Sequence, residues 1–409
     1  MANGQIIKGC SMFSDLSVFV IAVVFVALNG LTMLAWAAAQ GYKMKPTAFA
    51  FLIGAVGNLL TGSVTPISGQ SSILTVSHFM KNVNERIAAL LIAVIVMVPL
   101  GLTGSVTRIA EFAGNPVLWG MMAGVGLMVA GISIDMFKQA RRTGIISFVS
   151  ALVTHVIFLG NQHALVYVIA VSVSLSTIDF VFLQKKRVDL LQMAKDSGYE
   201  GDMEQNENPK FWTKEYWADF RIIKPKFGFN AIYFALAFIS LNIGTNIAFG
   251  NITAGFGPRD ADGVLLNPQN MDHLTVINSL ADIPSVIFGG APVGAIISAT
   301  AASPWPVMAG VVMMLLCMVL LLLGLMTKAV KYVPVQAIAG FLFIIGFFST
   351  FIVQIRNVFM LPEGTSQDLV QAAVAMAITA LTKNPFLGLV AGIAVRYIGG
   401  SFFPAVFML

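Results

Sequence analysis

One carboxylate, Asp282, lies inside an apolar run of the sequence, within the segment 280–284. An ionisable side chain at the bilayer centre costs roughly +2.5 to +3.5 kcal/mol on insertion scales, so such a residue marks a functional site by default. At that depth Asp282 could bind and release a proton during a transport cycle. The alternative is that Asp282 lies at the membrane interface and caps the helix that comes after it.

Asparagine amides in apolar runs form a second group of candidates. Asn29 and Asn242 each follow a leucine, and Thr245 and Asn246 come about one helical turn after Asn242. Such groups could bind the hydrogen-bonding edge of a planar ligand. Polar side chains also join membrane helices to one another, and this alternative is equally open for Asn246.

Two short segments that begin at a proline, 66–72 and 292–300, carry further hydroxyl and amide side chains: Gln70, Ser71 and Ser72 in the first, Ser298 and Thr300 in the second. These side chains could line a binding site between the two segments. A serine on a membrane helix can instead bond to its own backbone, so both interpretations stay open for each of them.

Motifs for nucleophiles, metals and organic cofactors are absent from the sequence. The four histidines form no i, i+4 pair, and the two cysteines, Cys10 and Cys317, are too few for a four-ligand metal site. No G-x-S-x-G elbow, phosphate-binding loop or H-E-x-x-H motif occurs. We therefore expect no enzyme, no metal site and no cofactor. The coupling ion that we expect is a proton, bound at Asp282.

The composition places these residues in a membrane. Of the 409 residues, 57% are apolar and 11% are charged, whereas soluble domains average roughly 25% charged residues. So little polar surface cannot cover a water-soluble globule of this size. The net charge of +5 comes mostly from loop lysines and arginines, which are typical of cytoplasmic loops and do not indicate nucleic acid.

Apolar runs that reach, or nearly reach, the roughly 20 residues needed to span a bilayer occur along the whole chain. They lie at 17–39, 47–61, 86–104, 117–135, 144–158, 164–183, 229–250, 306–326, 332–353, 368–382 and 386–404. A polar stretch at 184–227 separates them into two halves. We expect this stretch to be a solvated connector with an amphipathic surface helix, anchored at the interface by Trp212, Tyr216 and Trp217.

Three local patterns recur in the two halves in the same order. Asn29 matches Asn242, Pro66 matches Pro292 and Pro116 matches Pro334, at separations of 213, 226 and 218 residues. Recurrence at nearly constant separation indicates a duplication, and an odd number of helices in each half would make the repeats inverted in the membrane.

The proline-marked segments at 66–72 and 292–300 are too short to span the membrane. Interrupted backbone at membrane depth is tolerated only where protein or a water-filled cavity satisfies its amides and carbonyls. We therefore expect the paired segments to meet near the midplane. Half-helices that begin after Gly69 and Gly294 would direct their positive ends at a common solute.

The runs 289–292 and 331–340, with Ser298 between them, resemble the tenth to twelfth helices of nucleobase permeases of the nucleobase–ascorbate, or nucleobase:cation symporter-2, family. The run 260–267, which leads to Asp282, is similar to the purine (adenine, guanine and hypoxanthine) branch. Asp282 falls where xanthine-type members have a functionally important aspartate on the ninth helix.

This resemblance implies an all-α polytopic membrane protein with about 14 transmembrane segments as 7+7 inverted repeats, in which segments 3 and 10 are short strands with half-helices. Residues 1–183 and 228–409 would form the repeats on either side of the connector at 184–227. Segments 1–4 and 8–11 would form a core domain, and segments 5–7 and 12–14 a gate domain. Members are commonly homodimers.

The resemblance also implies proton-coupled uptake of purine-like bases by alternating access, in a bacterial inner membrane. Asp282 would couple the proton. The base would be bound by Asn29, Gln70, Ser71, Ser72, Asn242, Thr245 and Ser298.

Two positions differ from the family pattern. Family members usually carry carboxylates on the eighth and tenth helices that contact the base, and the aligned residues here are Leu241 and Ser298. Sulfate and bicarbonate transporters share this fold and often have a serine on the tenth helix. An anion transporter is therefore the alternative function, and a channel, which would conduct without saturating, is a third.

The orientation in the membrane stays open from the sequence. With 14 alternating segments, the loops after segments one, three, five and seven carry many basic residues, among them Lys43, Lys81, Lys138 and Lys185. The positive-inside rule would place this side in the cytoplasm. The family resemblance places both termini there, which would leave these loops outside.

Overall fold

The computed structural model describes residues 20–399, apart from residues 21, 25, 27–29, 140, 162–163, 204–212, 256–259, 261, 263, 265, 267–269 and 362–364. The described part is mostly helical. It contains two three-residue strands, and both lie in the middle of the molecule, where each half of the chain is interrupted.

The elements of the first half are α1 (Leu31–Ala39), α2 (Thr47–Thr61), β1 (Ile67–Gly69), α3 (Ser71–His78), α4 (Val83–Leu102), α5 (Ser105–Ala113), α6 (Asn115–Gln139), α7 (Arg141–Ile157) and α8 (Ala164–Ile178), which continues as a π-helical turn at Asp179–Leu183. Asn82 starts α4 by accepting a hydrogen bond from the Glu85 amide at 3.1 Å. The 20 residues of α4 are about 30 Å long, which matches the hydrocarbon core of a bilayer.

The connector between the halves contains α9 (Leu190–Asp196) and α10 (Lys214–Ala218). The sequence predicts a connector that carries an amphipathic helix, and the amphipathic surface role of these two short helices stays a prediction. Tyr216 and Trp217 lie on α10, whereas Trp212 lies outside the described residues.

The second half repeats the order of the first. Its elements are α11 (Phe229–Gly255), α12 (Met271–Ile287), β2 (Val293–Ala295), a 3₁₀ turn (Ala299–Ala302), α13 (Pro306–Leu322), α14 (Leu325–Val330), a 3₁₀ turn (Val335–Ile338), α15 (Ala339–Phe343), a π-helical segment (Ile344–Ile352), α16 (Val353–Phe359), α17 (Ser366–Thr382) and α18 (Pro385–Ala394), which ends in a π-helical turn (Val395–Gly399). The predicted architecture, with two halves of seven segments each, is confirmed.

Five helical stretches of the described residues are long and apolar enough to cross a membrane by themselves. They are Val83–Leu102, Asn115–Lys138, Ala164–Leu183, Phe229–Gly255 and Val335–Phe359. Shorter apolar helices at Thr47–Thr61, Pro306–Leu322 and Pro385–Ile398 lie among them. The chain is an integral membrane protein, as its composition predicts.

The two strands pair with each other and join the halves. β1 and β2 run antiparallel, with Ile67 opposite Ala295, Ser68 opposite Gly294 and Gly69 opposite Val293. Antiparallel pairing of equivalent segments is what two inverted repeats produce when their interrupted helices meet. The prediction that the two proline-marked segments meet inside the molecule is correct.

The two interrupted segments differ in the structure that comes after the strand. β1 leads into α3, a helix of eight residues, whereas β2 leads only into the 3₁₀ turn at Ala299–Ala302. The expected second half-helix after Gly294 is therefore wrong. Ser298 accounts for the difference locally, because its hydroxyl accepts the Thr300 amide at 3.2 Å and Pro306 starts the next helix soon afterwards.

The helices pack in two groups. In the core group, α2 lies against α12 and α13, and α4 lies against α11 and α12. In the gate group, α6 lies against α17, α18 and the π-helical segment, and α7 lies against α8. The groups meet where α11 contacts α18 and where α3 contacts α6. The motion of a core domain against a gate domain stays a prediction.

The connector lies across one end of the core group. The Glu200 amide donates to the Lys81 carbonyl at 2.9 Å, and the Glu200 carbonyl accepts the Val83 amide at 2.8 Å. Asp202 forms an ion pair with Lys43 at 3.3 Å. A second ion pair joins Asp219 to Lys45, and both of these side chains are buried. These contacts fix the connector to the loop before α2 and to the loop after α3.

A buried cation, Arg86, closes this end of the core group. Its side chain is fully buried and donates to the Gln40 and Met80 carbonyls, both at 2.9 Å. These carbonyls lie at the C-terminal ends of α1 and α3, where a positive charge is favourable. Tyr199 of the connector covers the guanidinium, 5.0 Å from its ring centroid. Burial raises the pKa of the Tyr199 hydroxyl, so the group stays neutral.

Close backbone contact between α6 and the π-helical segment predicts a stability effect. A Cβ added at Gly126 would lie 2.6 Å from the Gly346 carbonyl oxygen and 2.7 Å from the Phe351 nitrogen. Because backbone cannot withdraw as a side chain does, Gly126→Ala should destabilise the protein by about 1–3 kcal/mol. Gly131→Ala, on the same helix and with nothing within 4 Å of the added Cβ, is the matched control. Thermal unfolding in detergent measures both, and equal melting temperatures would contradict this packing.

Candidate functional site

The paired strands are the centre of the candidate site. The Gln70 side chain follows β1 and donates through Nε2 to the Ala295 carbonyl of β2 at 2.8 Å. It lies across Gly294, where an added Cβ would be 2.9 Å from Gln70 Oε1. Gln70 Oε1 is buried and has no hydrogen-bond partner among the described residues. The strand crossing thus holds an unsatisfied acceptor in its interior.

The N-terminus of α3 begins at this crossing. Gln70 has extended backbone, and its carbonyl accepts the first helical bond from the Leu74 amide at 3.0 Å. The amides of Ser71, Ser72 and Ile73 therefore precede the hydrogen-bonded ladder of the helix. Ser71 and Ser72 are buried. Free amides and the positive end of the helix dipole make this position favourable for negative charge.

The second interrupted segment is held by α11. The Thr253 hydroxyl donates to the Ile296 carbonyl at 2.8 Å and accepts the Ser298 amide at 3.3 Å. The hydroxyls of Ser298 and Thr300 lie 2.8 Å apart. Ser298 thus bonds within its own turn, which is the backbone role that the sequence left open for it.

Asp282 is buried within α12 and holds the outer edge of β2. Its Oδ1 accepts the Val293 amide at 2.7 Å, and the residue is 5% exposed. The alternative of an interfacial cap is wrong, since Asp282 lies inside its helix and bonds to a strand. Its contact with the strand could not be predicted from the sequence, and its proton-coupling role stays a prediction.

A ladder of buried and half-buried side chains joins α11 to α12. Asn246 Nδ2 donates to Asn242 Oδ1 at 2.6 Å and to Thr275 Oγ1 at 2.8 Å, and Asn278 Nδ2 donates to Asn246 Oδ1 at 2.8 Å. Asn246 therefore acts as a link between helices. The Thr245 hydroxyl bonds to the Asn242 carbonyl of its own helix at 3.3 Å.

A cavity of about 20 Å³ lies inside the core group beside this ladder, which is space for about one water molecule. Its polar lining comes from Asn242, Ser279 and Asp282, and its apolar lining includes Ile73 of α3 and Phe238 of α11. Ser279 Oγ is buried without a partner among the described residues. Asp282 of α12 and Ile73 of α3 therefore line the same small cavity.

A much larger cleft of about 930 Å³ opens at the end of the molecule opposite the connector. It lies between the two groups: α5, Ile247 and Met271 line one side, and the starts of α6 and α17 and the end of α18 line the other. Ile247 and Met271 lie within one helical turn of Asn246 and Thr275 respectively. The cleft therefore approaches the polar ladder from this end.

The structure brings together most of the predicted site residues. Gln70, Ser71 and Ser72 lie at the crossing, while Asn242 and Asp282 line the small cavity and Thr245 lies on α11. Asn29 lies outside the described residues. The sequence prediction missed Thr253, Thr275 and Asn278. Asn278 could have been found, because it precedes Asp282 by one helical turn on the same face.

Comparisons with known proteins give a fold but no family. No family model matches the sequence, and neither does any curated protein. Among solved structures, the chain is similar to the transmembrane domain of the cyanobacterial bicarbonate transporter BicA, with 14% identity and a TM-score of 0.50, over 90% of this chain and 97% of that one.

The chain is also similar to murine Slc26a9, an anion transporter solved in the inward-facing state, with 14% identity and a TM-score of 0.52, over 91% of this chain and 68% of that one. A further structure of SLC26A9 matches with 13% identity and a TM-score of 0.51, over 91% of this chain and 64% of that one. The chain thus spans about two thirds of the SLC26A9 chains.

These matches correct the resemblance to nucleobase permeases, because the structures are those of bicarbonate and anion transporters. The motif at 289–292 has a packing explanation. A Cβ at Gly290 would lie 2.7 Å from the Thr47 amide nitrogen, and the Ala291 amide donates to Thr47 Oγ1 at 2.8 Å. Glycine and alanine in this turn allow α2 to approach closely.

The contact between Asp282 and β2 predicts different outcomes for two substitutions. Asp282→Asn keeps an oxygen for the Val293 amide and should leave stability almost unchanged. Asp282→Leu has a similar volume but orphans that buried amide, which costs about 1–3 kcal/mol. Thermal unfolding in detergent compares the two variants. If Asp282→Leu melts at the temperature of Asp282→Asn, the hydrogen bond does not support the strand.

Proposed function

We propose that this protein is a secondary transporter of small inorganic anions, of the bicarbonate or sulfate type. The observation that carries the proposal is the start of α3 at the strand crossing, where the amides of Ser71 and Ser72 lie at the positive end of the helix. The nearby carboxylate of Asp282 is bonded to the Val293 amide. The similarity of the whole fold to bicarbonate and anion transporters supports it. Those proteins are transporters, so an enzymatic function is not part of the proposal.

The electrostatics of the crossing favour an anion over an uncharged base. Leu241 and Ser298 occupy the positions where carboxylates would bind a base, and both residues are buried. The one carboxylate of the small cavity, Asp282, accepts the Val293 amide within the core group. An anion at the start of α3 would gain the helix dipole and the amides of Ser71 and Ser72.

The proposed path runs through the cleft between the core and gate groups. A solute would enter the cleft, reach the strand crossing past the ladder of α11 and α12, and be released after the core group shifts against the gate group. Transport by alternating access saturates with solute, which separates it from a channel. A homodimer in a bacterial inner membrane is the assembly and location we propose.

Asp282 is the residue that we propose couples a proton to transport. It is 5% exposed, on α12, and lines the cavity beside Ile73 of α3. A charge at such depth is costly, so its protonation would depend on which side the site faces. Because Asp282 also bonds to Val293, a change in its charge would be felt by β2 directly.

Uptake into proteoliposomes tests the substrate class. We expect saturable uptake of labelled bicarbonate or sulfate, with competition among anions and no uptake of labelled hypoxanthine. Ser72→Asp should raise the KM for the anion about tenfold, equivalent to about 1.4 kcal/mol, because its charge opposes the dipole of α3. Ser72→Asn has the same size without the charge and should stay near the wild-type KM. Purine uptake without anion uptake, or equal KM values for the two variants, would contradict the proposal.

The proton-coupling role predicts a pH effect in the same vesicles. An inward proton gradient should accelerate wild-type anion uptake, whereas Asp282→Asn should transport at a rate that does not respond to the gradient. The asparagine variant is suitable because it retains the acceptor for the Val293 amide. A variant that keeps the wild-type response to the gradient would show that another group, or no proton, is coupled.

A further inference from the structure

The two ends of the molecule, which face water on opposite sides of the membrane, differ sharply in their number of basic residues. We call the end that carries the connector the connector face and the end with the 930 Å³ cleft the cleft face. Of the 21 lysines and arginines that the structure describes, 18 lie at the connector face. They are Lys43, Lys45, Lys81, Arg86, Lys138, Arg141, Arg142, Lys185, Lys186, Arg187, Lys195, Lys214, Arg221, Lys224, Lys226, Lys328, Lys331 and Lys383. The cleft face has Arg108, Arg356 and Arg396.

Contacts between loops place the basic residues of both halves on one face. The Val188 amide of the connector donates to the Lys331 carbonyl at 2.8 Å, and the Lys43 amide donates to the Gly289 carbonyl at 2.8 Å. Lys383, in the loop between α17 and α18, lies 4.7 Å from the ring centroid of Phe79 in the loop after α3. The loops that carry these basic residues are therefore in contact with one another at one end of the molecule.

The cleft face is connected in the same way by a separate set of contacts. Asp272, at the start of α12, accepts the Val106 amide of α5 at 3.1 Å. Arg396, at the end of α18, donates to the Ala113 carbonyl at 3.1 Å. The helix α4 runs from the connector face at Val83 to the cleft face at Leu102, so its length separates the two sets.

We infer that the connector face is the cytoplasmic surface of this protein and that the cleft opens to the outside. Lysine and arginine in loops near helix ends determine orientation, and acidic residues contribute little. The distribution of 18 against 3 is far from even. Exposed basic residues at the start and end of the connector, such as Lys186 and Lys224, would face the anionic headgroups of the inner leaflet.

This orientation determines to which side of the membrane the cleft is open. With the connector face inside, the structure is open to the outside, and the cleft is the vestibule in which solute is first bound. That assignment of the cleft rests on the proposed function, whereas the orientation itself does not. The connector-side end of the core group is closed by Arg86, Tyr199 and the ion pairs of Lys43 and Lys45.

Single-cysteine labelling in cells tests the orientation. The background would carry Cys10→Ser and Cys317→Ala, since these are the two cysteines of the chain. Exposed positions on each face then receive one cysteine: Lys186→Cys and Lys224→Cys at the connector face, Glu111→Cys and Met360→Cys at the cleft face. A membrane-impermeant maleimide is applied to intact cells and, separately, to permeabilised cells.

We expect Glu111→Cys and Met360→Cys to be labelled in intact cells, and Lys186→Cys and Lys224→Cys only after permeabilisation. Labelling after denaturation verifies that each variant is present and reactive. The reverse pattern would overturn the inference, and so would equal labelling of both faces in intact cells, which indicates a mixed orientation. Because the result is read from labelling alone, it is independent of whether the protein transports anions.

Discussion

The requirement that backbone polar groups be paired inside the bilayer governs this structure. Each half of the chain is interrupted at membrane depth, and the exposed strand edges have no water to bond with. β1 and β2 satisfy one another along one edge. Side chains bond further groups of β2 and of the residue after it: Asp282 accepts the Val293 amide, Gln70 donates to the Ala295 carbonyl, and Thr253 donates to the Ile296 carbonyl. The side chains of the candidate site therefore also satisfy the backbone groups of the interrupted segments.

Much of the fold could be predicted because its causes are local or repeat in the sequence. Apolar length identifies the spanning helices, and Pro66 and Pro292 mark the interruptions, which together predict the pairing of the halves. The features that escaped prediction depend on contacts distant in sequence. Thr253 stabilises a turn 45 positions away, and nothing near it in the sequence indicates that contact. The short turn after β2 also escaped prediction, because the strength of the Ser298 cap and the early start of α13 act together.

The substrate class illustrates a limit of short motifs. Glycine, alanine and proline in the run 289–292 resemble a permease motif, yet in the structure they let α2 and the loop after α12 approach closely. Residues that serve packing carry little information about the solute. The informative positions are those that touch the crossing, such as Gln70, Ser71 and Ser72.

The way the connector is attached has a mechanical consequence. The described residues of the connector bond to the loops around α2, α3, α12 and α13, through pairs such as Glu200 with Lys81 and Ile223 with Ile287. If the core group is displaced along the membrane normal, the connector must move with it through the lipid headgroups. Viscous drag and the electrostatic pull of the lipid surface would then enter the activation barrier, so that the turnover rate of such a protein depends on the lipids around it as well as on its own residues.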